Sequence, residues 1–140
     1  MANIQAKRPY GLMDNSYQSA GGFEGLQQLV GLFYDVMAEL PESENIHHMH
    51  TDPQPVRRDK LARFLAGWLG GPRLFSETYG PINIPQVHAH LVVNEAERDA
   101  WLLCMEKALA QMPYEQDFKE YLLTQLRIPA ERIRQTARRQ

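Results

Sequence analysis

Apolar residues recur along the chain at intervals of three and four, with proline and glycine between the runs. After Gly21 and Gly22, the residues Leu26, Leu29, Val30, Phe33, Met37 and Leu40 share one face of a predicted helix, which Pro41 ends. A second run begins near Pro53 and Pro55 and carries Leu61, Phe64, Leu65, Trp68 and Leu69 up to the stop at Gly70-Gly71-Pro72. Asn94 followed by Glu97 has the spacing of a capping box, in which each end satisfies a backbone N–H of the other. It opens a third helix with Ala100, Trp101, Cys104, Ala108 and Met112 on one stripe. Pro113 separates this from a fourth helix over 114–127, with Phe118, Leu122 and Leu126 inward and an expected stop before Pro129. No alternating strand pattern competes, so the expected fold class is all-α.

A chain of 140 residues holds a single core. Residues 21–128 are expected to form it, with 1–20 as an N-terminal extension and 129–140 as a basic tail bearing Arg132, Arg134, Arg138 and Arg139. The formal net charge of -2, with both signs mixed along the helices, argues against a nucleic-acid surface. No apolar run approaches the roughly 18 residues of a membrane span, and the first residues lack the apolar segment of a secretory signal. A cytoplasmic location is the expectation. Cys104 is the only cysteine, which excludes an intrachain disulfide and a thiolate cluster.

The histidines change the picture. His47, His48 and His50 lie in "ENIHHMHTDP" and His88 and His90 in "RLFSETYGPINIPQVHAHLVV", so all five stand outside the four long helices. Taken singly, each reads as a surface loop residue, His47 and His48 in particular. Long irregular stretches in small domains tend to be functional, however, and the clustering adds to that. Two chemistries suit neutral imidazoles on an apolar helical scaffold. Several histidines can converge on a bare transition-metal ion, or one can hold heme iron while the porphyrin fills a slot between helices. A heme-free interaction module is the reading from another class. The second chemistry uses more of the chain, because it also employs the abundant Phe, Trp, Tyr and Met.

"LFYDVMAELPE" at 32–42, "GWLGGP" at 67–72, "YG" at 79–80, "VHAH" at 87–90 and "AERDAWLLCM" at 96–105 occur in an order and at intervals that resemble the group II truncated hemoglobins. The resemblance runs from about Gly21 to about Leu126. It implies a two-over-two helical sandwich around heme b that binds dioxygen, carbon monoxide and nitric oxide. It further implies His88 as the proximal iron ligand, with His90 incidental. On the distal side it implies Tyr34, from the "FY" pair, and Trp101, from "ERDAW", as hydrogen-bond donors to bound ligand. Counting back from Leu61 puts His50 in the third distal place. Lys60 matches a position that pairs with a propionate, while Leu61, Phe64 and Leu65 would wall the heme. Arg57 stands where the family has a small residue, and would close the pocket mouth or reach a propionate. Val87, His90 and Leu91 also depart from the family pattern around the proximal histidine. Several donors on one ligand slow its release, so the expected role is redox chemistry on nitric oxide or peroxide, or sensing, rather than storage. Such turnover would need a separate reductase, and a monomer or weak homodimer is the expected assembly.

Overall fold

Gly21 takes the left-handed conformation at φ 88°, which a side chain would resist, and so turns the chain sharply into its first long helix. The computed structural model describes residues 10–49, 52–82, 91 and 93–136. Among these the helices in chain order are α1 (Asn15–Ser19), α2 (Gly22–Glu39), α3 (Glu44–Met49), α4 (Gln54–Trp68), α5 (Leu74–Tyr79), α6 (Glu95–Ala110) and α7 (Gln116–Thr136), and no strand is present.

Helix α2 is the hub. It packs on α4 and on α6, and α6 in turn packs on α7, so two helix pairs stack in the two-over-two arrangement. Leu26, Leu29, Val30, Phe33 and Met37 of α2 are fully enclosed between these partners. Their burial removes the apolar stripe from water, which is the main favourable term for a helix of this kind. The small Ala62 and Ala66 of α4 are also buried, and only Leu65 among its large side chains is completely enclosed. Helix α6 buries Leu102, Met105 and Leu109 in addition to Ala100, Cys104 and Ala108, because it is covered by α2 on one side and α7 on the other. Its start is the capping box expected at Asn94, whose backbone N–H donates to Glu97 Oε1 at 2.8 Å.

The fourth long helix corrects the expected stop before Pro129. Helix α7 runs through Pro129 to Thr136. Proline deprives the Gln125 carbonyl of its helical donor, yet Leu126 and Ala130 on either side are buried and hold the register. Beyond the proline, Glu131 accepts from Arg98 of α6 at 2.7 Å and from Arg134 Nε at 2.7 Å, and Arg134 also faces Glu95 at 3.7 Å. These charge pairs tie the last turns of α7 to the first turns of α6.

Two segments read as irregular connections contain short helices. Pro41–Ser43 forms a 3-10 turn that leads into α3, and the Ser43 hydroxyl, fully buried, lies 2.6 Å from the Met37 carbonyl. The chain before α2 is also structured. Gly11 N–H donates to Ser16 Oγ, Tyr10 OH reaches Asp117 of α7 at 3.1 Å, and Tyr114 OH donates to the Ala20 carbonyl at 2.7 Å.

Candidate functional site

Helices α2, α4 and α6 bring together one phenol, two guanidinium groups and one indole. Tyr34 is almost fully buried near the middle of α2, one position beyond Phe33. The Phe33 ring contacts both Tyr34 and Trp101, each with centroids 5.0 Å apart. Two residues expected on the distal side therefore share one enclosed ring as a neighbour. Burial pushes the Tyr34 phenol up to about 12, against the opposing pull of Arg57 and Arg58. At neutral pH this side chain is uncharged and retains its O–H.

Arg57 and Arg58 both hold their guanidinium carbons over the Tyr34 ring, at 5.7 and 5.9 Å from the centroid. They differ in partners. Arg58 donates from Nε to Gln54, from Nη1 to the Gly31 carbonyl and from Nη2 to Asp35, at 3.0, 3.1 and 2.9 Å. Arg57 Nε and Nη1 are enclosed and meet no acceptor among the described residues. A buried N–H without an acceptor is costly, so the pair marks where a further group belongs.

The described part of the histidine cluster adds one more such atom. His47, expected as a loop residue, sits on α3, which packs on both α2 and α6, and its Nδ1 is enclosed with no partner among the described residues. His48 is exposed and lies 3.9 Å from Glu44. His50, His88 and His90 fall outside the described residues, so the proximal expectation and one distal expectation are not located. The enclosure of His47 Nδ1 depends on the packing of α3, which the sequence pattern does not display.

The α4 face next to Arg57 is apolar and open. Leu61, Phe64 and Trp68 recur on successive turns, only partly buried, and Phe64 stacks on Trp68 at 6.4 Å with an interplanar angle of 22°. Trp101 is likewise only partly buried against the core. Leu65, expected on the same wall, is fully enclosed. Lys60 is half-exposed, donating to Asp52 at 2.8 Å and lying 5.4 Å from the Tyr79 ring centroid. Tyr79 OH meets Asp59 at 2.6 Å, and Arg63 bridges Asp59 and Thr78, which fixes α5 on α4. Open apolar rings, unpartnered buried N–H groups and a surface cation beside them fit a porphyrin, which is apolar over its faces and anionic at one edge. Among the described residues no three His, Cys, Asp or Glu side chains converge to hold a bare metal ion, and no helix is long and apolar enough to cross a membrane.

Residues 15–135 match the family model of the bacterial-like globins. The group 2 truncated hemoglobin YjbI of Bacillus subtilis (strain 168) is 33% identical over 116 residues, covering 83% of this chain and 86% of that protein. The cold-adapted truncated hemoglobin from the Antarctic marine bacterium Pseudoalteromonas haloplanktis TAC125 is similar with a TM-score of 0.79 and 30% identity, over 84% of this chain and 95% of that one. The group II 2-on-2 hemoglobin from the plant pathogen Agrobacterium tumefaciens shares the fold at a TM-score of 0.80 and 24% identity, over 100% of both chains. The chain belongs to the bacterial-like globin family, among the group II truncated hemoglobins. Membership implies heme and the binding of diatomic gases such as O2.

Proposed function

We propose that the chain holds heme b against the open face of α4, with His88 as the proximal ligand, and uses Tyr34 and Trp101 to retain a small ligand for redox chemistry or sensing. Heme, when bound, supplies an iron that binds diatomic gases and exchanges electrons with them. The observation that supports the reading is that the enclosed Phe33 ring contacts both the neutral phenol of Tyr34 and the indole of Trp101. Preorganised donors in a dry site favour a ligand that gains negative charge over a neutral one such as carbon monoxide.

Leu61 and Phe64 wall the pocket in this reading, Leu65 supports them from the core, and Lys60 meets a propionate at the surface while keeping Asp52. The third distal place goes to the histidine cluster. Counting back from Leu61 favours His50, but the Nδ1 of His47, enclosed and without a partner among the described residues, supports His47 instead. Oxidation of nitric oxide or reduction of peroxide with electrons from a separate reductase suits a site with several donors better than oxygen storage does, and a cytoplasmic monomer or weak homodimer is the assembly that goes with it. The test is reconstitution with hemin, followed by stopped-flow measurement of oxygen dissociation from the ferrous protein. An intense Soret band with slow dissociation is expected. A chain that takes up no hemin at an equimolar ratio would refute the reading.

A further inference from the structure

Of the six tyrosines in the chain, Tyr79 is the one that stands exposed, with 39% of its surface open to solvent. Its hydroxyl donates to Asp59 Oδ2 at 2.6 Å, and the same oxygen accepts from Arg63 Nε at 2.8 Å. Arg63 also donates to Thr78 at 3.0 Å, so the carboxylate is held against the phenol. Tyr10 makes a comparable contact with Asp117, but at 3.1 Å and with its ring packed against Phe118 and Tyr121.

A phenol is a one-electron donor whose oxidation at neutral pH is held back by the proton it must shed. A carboxylate at 2.6 Å is within reach of that proton and can act as its base. The Lys60 ammonium, 5.4 Å from the ring centroid, opposes loss of an electron, but Asp59 is closer and Coulomb energy falls with distance. The Asp59 side chain is 31% exposed, which gives an acquired proton a way out to solvent.

The surroundings give Tyr79 an inner and an outer neighbour. Lys60, the residue at the heme edge in the reading above, lies over its ring. Phe75, one turn earlier on α5, has its ring 5.0 Å from that of Tyr79. The two rings give an aromatic molecule a surface to lie on without entering the distal pocket.

We infer that Tyr79 is a surface oxidation site, at which small phenols are oxidised at the expense of hydrogen peroxide. This rests on the heme-binding reading above. Tyr79 loses one electron inward and its proton to Asp59, and becomes a neutral phenoxyl radical. The radical takes a hydrogen atom from the docked phenol, which restores Tyr79, and Asp59 releases its proton to solvent. Two rounds use one peroxide, which with two electrons and two protons becomes two waters, while the two substrate radicals couple to a biphenol.

The test treats the ferric holoprotein with hydrogen peroxide and the spin trap 2-methyl-2-nitrosopropane and locates the adduct by peptide mass spectrometry. Oxidation of 2-methoxyphenol is followed in parallel. The adduct is expected on Tyr79, absent in Tyr79→Phe, and unchanged in Tyr10→Phe. In Asp59→Asn, which can still accept a hydrogen bond but is no base, its yield should fall by about tenfold or more. Oxidation of 2-methoxyphenol should slow in both Tyr79→Phe and Asp59→Asn. Tyr79→Phe removes a single hydroxyl, so the test stands even where Asp59→Asn fails to fold. A main adduct on another residue of the parent, an equal yield in Asp59→Asn, or an unchanged phenol rate in Tyr79→Phe overturns the inference. Absence of a Soret band in the parent chain removes the heme reading itself, a result distinct from these.

Discussion

Phe33 and Trp101 meet edge to face across the contact of α2 with α6, their ring centroids 5.0 Å apart at an interplanar angle of 61°. The same Phe33 ring meets Tyr34 at 72° and has no exposure to solvent. One enclosed apolar ring thus contacts two aromatic side chains with polar tips, carried on different helices.

Trp101→Leu or Tyr34→Phe should each speed oxygen dissociation from the reconstituted ferrous protein. A buried, aligned donor contributes about 1 to 3 kcal/mol. The two effects should not add, because donors that share one ligand are coupled. Phe33→Leu retains both donors and changes their spacing, so it should also speed dissociation. Stopped-flow rates for the three variants and the double variant decide the matter, and rates indistinguishable from the parent would show that this wall does not face the ligand.

Stability should fall at alkaline pH in a way that names two tyrosines. Burial pushes the phenols of Tyr34 and Tyr114 up to about 12 from 10.0. The unfolded chain releases these protons near the ordinary value and the folded chain keeps them, so their contribution is complete below pH 10 and is lost as pH rises toward about 12. Tyr34→Phe combined with Tyr114→Phe removes two titrations. Its thermal midpoint should decline less steeply than the parent's over that interval, even though its starting value is lower for want of the Tyr114 hydrogen bond to Ala20. Equal slopes would contradict the assignment.

At the acid end the relevant group is Glu131. Hydrogen bonds from Arg134 and Arg98 hold its carboxyl well below the usual range, at about 2. A depressed folded value stabilises above the unfolded pKa and is lost as pH falls through the folded one. The difference in thermal midpoint between the parent and Glu131→Gln should therefore be present near neutrality, shrink below about pH 4.5, and vanish by about pH 2. A gap that persists unchanged at the acid limit would mean that Glu131 acts by packing rather than by charge.

The long helices were legible because each has an apolar stripe of sufficient length, as from Leu26 to Met37, or a local signal such as Asn94 with Glu97. Tyr34 and Trp101 were singled out through motifs rather than periodicity, since a ligand-facing phenol and a core tyrosine look alike in a pattern of apolar positions. Pro129 misled because its local cost is visible in sequence, while the compensating pair of Glu131 with Arg98 joins residues 33 positions apart in the chain. α3 and α5 are too short for periodicity to separate helix from loop. The contrast between Arg57 and Arg58 is invisible in sequence for the same reason as His47. What distinguishes each is the presence or absence of a partner among the described residues.

As candidates for the third distal place, His47 and His50 make opposite predictions. If the enclosed Nδ1 of His47 faces the ligand space, His47→Leu should alter the ferric absorption spectrum and the oxygen dissociation rate, while His50→Leu leaves both near the parent's. The reverse result would return the third distal place to His50 and leave His47 as a packing residue of α3.

The proximal assignment has the sharpest test, since His88 and His90 are two positions apart. A proximal imidazole needs its iron-facing nitrogen unprotonated and its other nitrogen hydrogen-bonded, which fixes ring tautomer and orientation together. Two rings in so short a segment cannot both meet that requirement toward one iron. His88→Ala should therefore lose stable heme incorporation, with recovery on adding imidazole, while His90→Ala should keep a five-coordinate ferrous spectrum. Imidazole recovery matters because it separates a missing ligand from a damaged fold: a small molecule replaces the first and not the second. If His90→Ala loses heme and His88→Ala does not, the proximal register is wrong by two positions, and the propionate and pocket assignments upstream, Lys60 among them, must be redrawn. If both variants bind heme as the parent does, the iron ligand lies elsewhere, and the other histidines become the candidates to replace in turn.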